Sequence, residues 1–163
     1  EDDEAEGFDA ILPNPNFVGG RNSYWIKQAV PLAGTSVQMV NQDSVFPSLR
    51  SSKLQGQANF VNPGITIFNV GLDLNLTPKV RGTLNLSKLM FDATESLELA
   101  LNQSGIDEDI GVDLSMGIEW RPWLNNNVIM DLGTNVLFPG EGFKDILTDG
   151  NLYSVTSRLI FTY

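Results

Sequence analysis

The sequence predicts an all-β protein: an antiparallel transmembrane β-barrel, or the C-terminal strands of a larger one, with long outer loops. Three observations predict it. From Gly64 onward apolar and polar residues alternate with period two in five segments, each roughly ten to fourteen residues long, as a tilted membrane-crossing strand requires. The links between these segments are alternately short and long. The last segment closes the chain on an aromatic residue, Tyr163.

In the first segment Phe68, Val70, Leu72, Leu74 and Leu76 share one face, and Asn69, Gly71, Asp73 and Asn75 share the other. The second runs from Val80 to about Phe91, with Val80, Leu84 and Leu86 opposite Arg81, Thr83, Asn85 and Ser87; its alternation blurs after Lys88. The third is the cleanest. Ile110, Val112, Leu114, Met116, Ile118 and Trp120 alternate without exception with Gly111, Asp113, Ser115, Gly117, Glu119 and Arg121, a run that chance rarely produces. In the fourth, Val128, Met130, Leu132, Val136 and Phe138 oppose Asp131, Gly133 and Asn135, with Ile129 and Leu137 as impure positions near the ends. The fifth sets Tyr153, Val155, Leu159, Phe161 and Tyr163 against Ser154, Thr156, Arg158 and Thr162.

The connections favour a membrane barrel over a soluble sheet, because such barrels pair short turns on one side with long loops on the other. Thr77-Pro78-Lys79 and the stretch from Pro122 to Asn127 are brief and rich in turn residues, whereas Asp92 to Asp109 and Pro139 to Gly150 are long. Trp120 and Trp123 flank one short turn and Tyr163 falls at its level, as an aromatic girdle would; Phe68, Phe91 and Phe138 then mark the opposite rim. Thr94 to Ser104 carries Leu97, Leu99 and Ala100 with Glu95 and Glu98, which predicts a short helix capped near Thr94 or Ser96 in a long loop.

Composition narrows the function classes. No window approaches about 18 consecutive apolar residues, which excludes a transmembrane helix. With neither Cys nor His, disulfides, Cys/His zinc sites, thiol nucleophiles and Ser-His-Asp triads are unavailable, and no cofactor or metal is expected. The net charge of −10 would repel a phosphate backbone, so nucleic acid is not an expected partner. Asp113 and Glu119 are too far apart for an acid–base pair, at roughly 20 Å along one strand face. Asp107-Glu108-Asp109 with Asp113 lacks the ligand spacing of an EF-hand loop.

Residues 1–55 form an acidic, loop-rich segment in which Ser23 to Val30, Thr35 to Asn41 and, across its boundary, Lys53 to Val61 offer weaker strand patterns; residues 56–163 hold the regular strands. The opening Glu1-Asp2-Asp3-Glu4 has neither an initiator Met nor an apolar leader, and a processed or excised piece is expected. The five strands and the three weaker ones together would make about eight, the smallest closed membrane barrel. If the weaker ones are instead a long outer loop, an open sheet edge cannot face lipid, and another chain or a missing N-terminal portion is expected to complete the barrel, which is the favoured case.

The alternating apolar positions Tyr153, Val155, Leu159 and Phe161 before the terminal Tyr163 resemble the C-terminal signature of bacterial outer-membrane proteins, with Ser157 small where that pattern is usually apolar. More loosely, Arg50-Ser51-Ser52-Lys53, Asn59 to Gly64, Glu119-Trp120-Arg121-Pro122 and Pro139 to Asp145 are similar to C-terminal regions of porin-like barrels of Gram-negative bacteria. This resemblance implies an outer-membrane location, contact with the bilayer and lipopolysaccharide, and reading of the signature by the barrel-assembly machinery.

On this reading Asp73, Arg81, Asp113, Glu119, Arg121, Asp131 and Arg158 face the lumen, where structural pairing across strands is favoured over ion selection. Trp120, Trp123, Phe138 and Tyr163 lie at the membrane interfaces. The expected function is a non-enzymatic channel or porin component passing small solutes or ions. A small filled barrel acting as an anchor or partner-binding protein is the alternative. A secreted carbohydrate-binding β-sandwich using Trp25, Trp120 or Trp123 is the third reading.

Overall fold

A computed structural model describes residues 23–24, 30–31, 38–40, 63–123 and 127–162. It contains seven described strands and two helices: β1 (Val30–Pro31), β2 (Gln38–Val40), β3 (Ile65–Thr77), β4 (Val80–Phe91), α1 (Glu95–Leu101), β5 (Asp109–Trp120), β6 (Val128–Pro139), α2 (Glu141–Ile146) and β7 (Leu152–Phe161). β1 and β2 pair with each other in a small sheet. β3 to β7 form a five-stranded antiparallel sheet in sequence order, an up-and-down meander that is not closed into a barrel.

The five strands coincide with the five alternating segments. The short links fall at one end of the sheet: Pro78 and Lys79 join β3 to β4, and the backbone N–H of Arg121 donates to the carbonyl of Lys79 at 2.8 Å, bringing the two turns together. The long links fall at the other end and carry both helices. We call these the turn end and the loop end.

Period-two alternation segregates the faces as the pleat dictates. Register places Val70, Leu86, Leu114, Val136 and Tyr153 in one line across the apolar face, followed toward the turn end by Leu72, Leu84, Met116, Thr134 and Val155. This face is uncovered by any described element: Val70 is 77% exposed, Phe68 66% and Leu132 55%. The polar face is the buried one, with Asn85, Ser87, Asp113, Ser115 and Asn135 all inaccessible. The sheet is therefore inside out relative to a soluble fold, in which the apolar side of a half-covered sheet is the one withdrawn from water.

The compact hydrophobic cluster lies at the loop end, on the same face as the polar residues. Leu89, Phe91, Ile110 and Leu137 from the strands meet Leu97 of α1, Ile106 of its following loop, and Phe143 and Ile146 of α2. Two sequence expectations need correction here. Phe91 is buried in this cluster rather than marking a rim, and Ile110 leaves the apolar face it was expected to share with Val112. The cause is a bulge: Leu89 pairs with Gly111 but Met90 pairs with Asp109, so Ile110 is an extra residue and turns inward. Gly111 permits this with φ +130°, where an added Cβ would stand 2.1 Å from the carbonyl oxygen of Phe138.

α1 begins one residue after Thr94, as expected, and ends at Asn102 in the left-handed conformation. Glu98 then fastens the following loop, its Oε1 accepting the N–H groups of Gly105 at 2.5 Å and Ile106 at 2.9 Å. α2 packs its Gly142 directly on the backbone of Asp107, leaving no room for a side chain. Lys144 and Glu141 form an exposed pair at 2.6 Å that raises the Lys144 pKa. The weaker N-terminal pattern is only partly strand: Tyr24 has helical backbone, against the expected strand from Ser23, and strand is described at residues 30–31 and 38–40. Residues 53–61 lie outside the described residues.

Candidate functional site

Among the described residues, chemistry-bearing side chains converge on the polar face of the large sheet, and register arranges them in rungs. Nearest the turn end stands Asn75, Arg81, Glu119, Asp131 and Arg158, one residue from each strand. The next rung is Asp73, Thr83, Gly117, Gly133 and Thr156. Gly71, Asn85, Ser115, Asn135 and Ser154 follow, then Asn69, Ser87, Asp113, Leu137 and Leu152. The face thus grades from charged, through small and through amide and hydroxyl, to the apolar cluster.

All seven charged residues expected on one face lie there or directly beyond it. Arg81 pairs with Asp73 one rung away, and Arg121, just past β5, holds Glu119 at 2.6 Å. Arg158 stands opposite Asp131 in register. The Arg81–Asp73 and Arg158–Asp131 pairs lie across neighbouring strands, the sheet's usual means of holding opposite charges together. Asp113 differs. It is 1% exposed and its carboxylate accepts a hydrogen bond from the hydroxyl of Ser23, so a residue 90 positions earlier is docked on the polar face. Tyr24 follows it into the edge of the apolar cluster, where burial raises the phenol pKa.

Hydroxyl and amide groups knit the middle rungs. Nδ2 of Asn69 donates to Oγ of Ser87 at 2.8 Å, and Oγ of Ser154 donates to Oδ1 of Asn135 at 2.7 Å. Gly117 and Gly133 face each other, and Gly71 is closely approached by the Asn85 side chain. Among the described residues no group of three or more His, Cys, Asp or Glu side chains is placed to hold a metal ion. No described helix is long and apolar enough to cross a membrane, which says nothing of strands.

The aromatic positions sort by level on the apolar face. Phe68 and Phe138 stand at the loop-end margin, in line with Lys88 and Val112. Lys88 marks the end of the oily band by reaching Asp109 at 2.5 Å. Trp120, Trp123 and Phe161 stand at the turn-end margin, all exposed. Tyr153, Val155, Leu159 and Phe161 lie along the apolar face of β7. Tyr163 and Trp25 lie outside the described residues, as does the acidic opening. The sequence placed Ser23 and Tyr24 at the start of a weak strand pattern, and nothing in that pattern pointed to their docking on the polar face and the loop-end cluster. No family model, curated protein or solved structure matches this chain.

Proposed function

We propose that the chain forms part of the wall of an outer-membrane β-barrel and works as a component of a channel for small solutes or ions. The observation that carries this reading is the inverted sheet, with apolar side chains bare along all five strands and polar side chains buried on the three central ones, β4, β5 and β6. A continuous bare apolar surface of this size marks an interface with protein or lipid rather than with water. From the level of Lys88 to that of Val80 the band runs eight residue steps, about 26 Å along a strand and about 20 Å when the strand tilts by roughly 40°. That compares with the apolar band of about 25 Å around outer-membrane barrels, and aromatic residues border it on both margins as they do there.

The charged and hydroxyl-bearing rungs then face the interior, and the short turns and long loops fall on opposite sides of the membrane. The aromatic, alternating β7 suits recognition by the barrel-assembly machinery, and the outer band would meet the bilayer and lipopolysaccharide. One feature favours the second reading, a filled barrel acting as an anchor or partner-binding protein. The cluster of Leu89, Phe91, Leu97, Ile110, Leu137, Phe143 and Ile146 occupies the polar face at the loop end, where an open channel would need water. A carbohydrate-binding sandwich has less support, because its second sheet would have to cover the apolar face.

The absence of native cysteine makes a direct test available. In membrane-inserted full-length chain, a fluorophore on Met116→Cys is expected to be quenched by brominated lipid and shielded from aqueous iodide, and one on Thr156→Cys, half-buried on the polar face at nearly the same depth, to show the reverse. Equal access of iodide to both, with a protein that stays monodisperse without detergent, would overturn the membrane reading. Stepwise conductance across a planar bilayer separates a channel from an anchor.

A further inference from the structure

Ser23 and Tyr24 are held on the polar side of the large sheet, and neither belongs to a strand. The Ser23 hydroxyl donates to the Asp113 carboxylate, and Ser23 is itself buried. Tyr24 has helical backbone and packs against the loop-end cluster. A residue bonded onto the polar face stands inside any barrel that turns this face inward, whatever strands complete the ring.

The contact falls at a boundary. Asp113 belongs to the rung of Asn69, Ser87, Asp113, Leu137 and Leu152, where hydroxyl and amide groups give way to the apolar cluster through Leu137. Ser23 and Tyr24 straddle that boundary with matching chemistry, the hydroxyl on a carboxylate and the ring against apolar side chains. Toward the turn end the face opens to solvent at Arg81 and Asp73, and Thr156 is half-buried. At the rung of the contact, Ser87 and Asp113 are both buried. Access along the polar face therefore ends at the level where Ser23 and Tyr24 dock.

Resting on the membrane-barrel reading above, we propose that Ser23 and Tyr24 are a stopper that closes the interior at the level of Asp113, so that passage of a small solute or ion requires their release. The fastening suits reversible closure. It rests on a hydrogen bond and on a ring at the edge of the cluster, and the partly buried Tyr24 is not among the side chains that make up its centre. Release leaves every strand pair of the large sheet in place. The two long loops keep their own fastenings, in which Nε2 of Gln103 donates to the Asp145 carbonyl and the N–H of Asp107 to Oδ2 of Asp145, each at 3.2 Å.

The test is made on the full chain in lipid vesicles, with single cysteines labelled by a membrane-impermeant maleimide. Ser87→Cys, beside Asp113 in register, is expected to label slowly. Adding Ser23→Ala and Tyr24→Ala is expected to raise its rate by at least about tenfold, the shift in population that follows loss of a hydrogen bond to a charged acceptor. Thr156→Cys, two rungs nearer the turn end, is expected to label at one rate with and without the alanine pair. In planar bilayers the alanine pair is expected to turn rare openings into sustained conductance. Unchanged labelling of Ser87→Cys in an alanine pair that keeps its shift in gel mobility on boiling would overturn the inference. So would a rise shared equally by Thr156→Cys, which marks general loosening, or a Ser87→Cys that labels as fast as Thr156→Cys before the alanines are added. Faster labelling of Ser87→Cys alone, with no conductance, upholds the closure at Asp113 and removes the channel reading. A chain that stays monodisperse in buffer without detergent removes the barrel reading and this inference with it, so the failures are distinguishable.

Discussion

Replacing Met116 by Arg separates lipid from water on the apolar face. Met116 lies on the central strand β5 between Leu114 and Ile118, opposite Leu84 on one side and Thr134 on the other, and it is 51% exposed. If water covers this face, a new charge at a half-exposed position changes stability by no more than about 0.5 kcal/mol. If lipid covers it, Met116 sits near the middle of the band, where Arg on a barrel strand costs about 2–4 kcal/mol. That is roughly a 30- to 700-fold loss in the folded-to-unfolded ratio. Depth supplies the internal control. Val80 stands at the turn-end margin beside Trp120, about 13 Å further along the strands, so Val80→Arg should cost only about 0–1 kcal/mol. Urea titrations of both variants in lipid vesicles, followed by tryptophan emission and by gel mobility, give the two numbers. Equal costs at Met116 and Val80, or no cost at Met116 in lipid, would refute the assignment of this face to a bilayer.

Gly111→Ala places a methyl against the Phe138 carbonyl and abandons a φ of +130°; the strain is on the order of 1–3 kcal/mol before the clash is counted. Gly105→Ala, at φ +78° with open space around it, should cost only about 1 kcal/mol, and chemical denaturation of the pair checks the difference. Phe143→Ala removes a fully buried ring from the loop-end cluster and should cost about 3–5 kcal/mol. The loss should appear as faster hydrogen exchange in α1, α2 and the loop at Ile106, with the middle of β5 little changed. Tyr24 has its pKa raised by burial, so docking of its phenol adds stability that is complete below the ordinary tyrosine pKa and disappears as pH rises through the raised value. Absorbance at alkaline pH should show a tyrosine that ionises above the ordinary phenol pKa and that is absent from Tyr24→Phe, which should also remove the alkaline loss without affecting neutral pH.

The strands were legible because period two survives translation into structure residue by residue. Val112 to Trp120 on one face and Asp113 to Glu119 on the other stand where alternation puts them, and the charges it grouped are brought together. What was not legible is the change of polarity along a single face. Leu89, Phe91 and Leu137 break the alternation because at the loop end the polar face becomes apolar to receive α1 and α2. That requirement comes from loops far away in sequence, so it registered only as a blur after Lys88 and an impure position at Leu137. The bulge that turns Ile110 inward depends on one glycine among fifteen, indistinguishable by type from those whose φ is ordinary. α2 is too short, at six residues, for helical periodicity to declare itself between Pro139 and Leu152. The Ser23–Asp113 contact spans 90 positions and has no local correlate at either end.

Because every pairing in the large sheet joins consecutive strands, the order of events in time is as constrained as the final geometry. Each strand can find its neighbour by closing a loop of no more than about twenty residues, a search of modest entropic cost that nucleates quickly. Assembly can therefore proceed one hairpin at a time from either side. Every intermediate, from the first hairpin to all five strands, presents the same growing edge. A chain built this way is ready to accept its next strand at any stage, and equally ready to accept a wrong one, so its handling before completion matters as much as its stability afterwards.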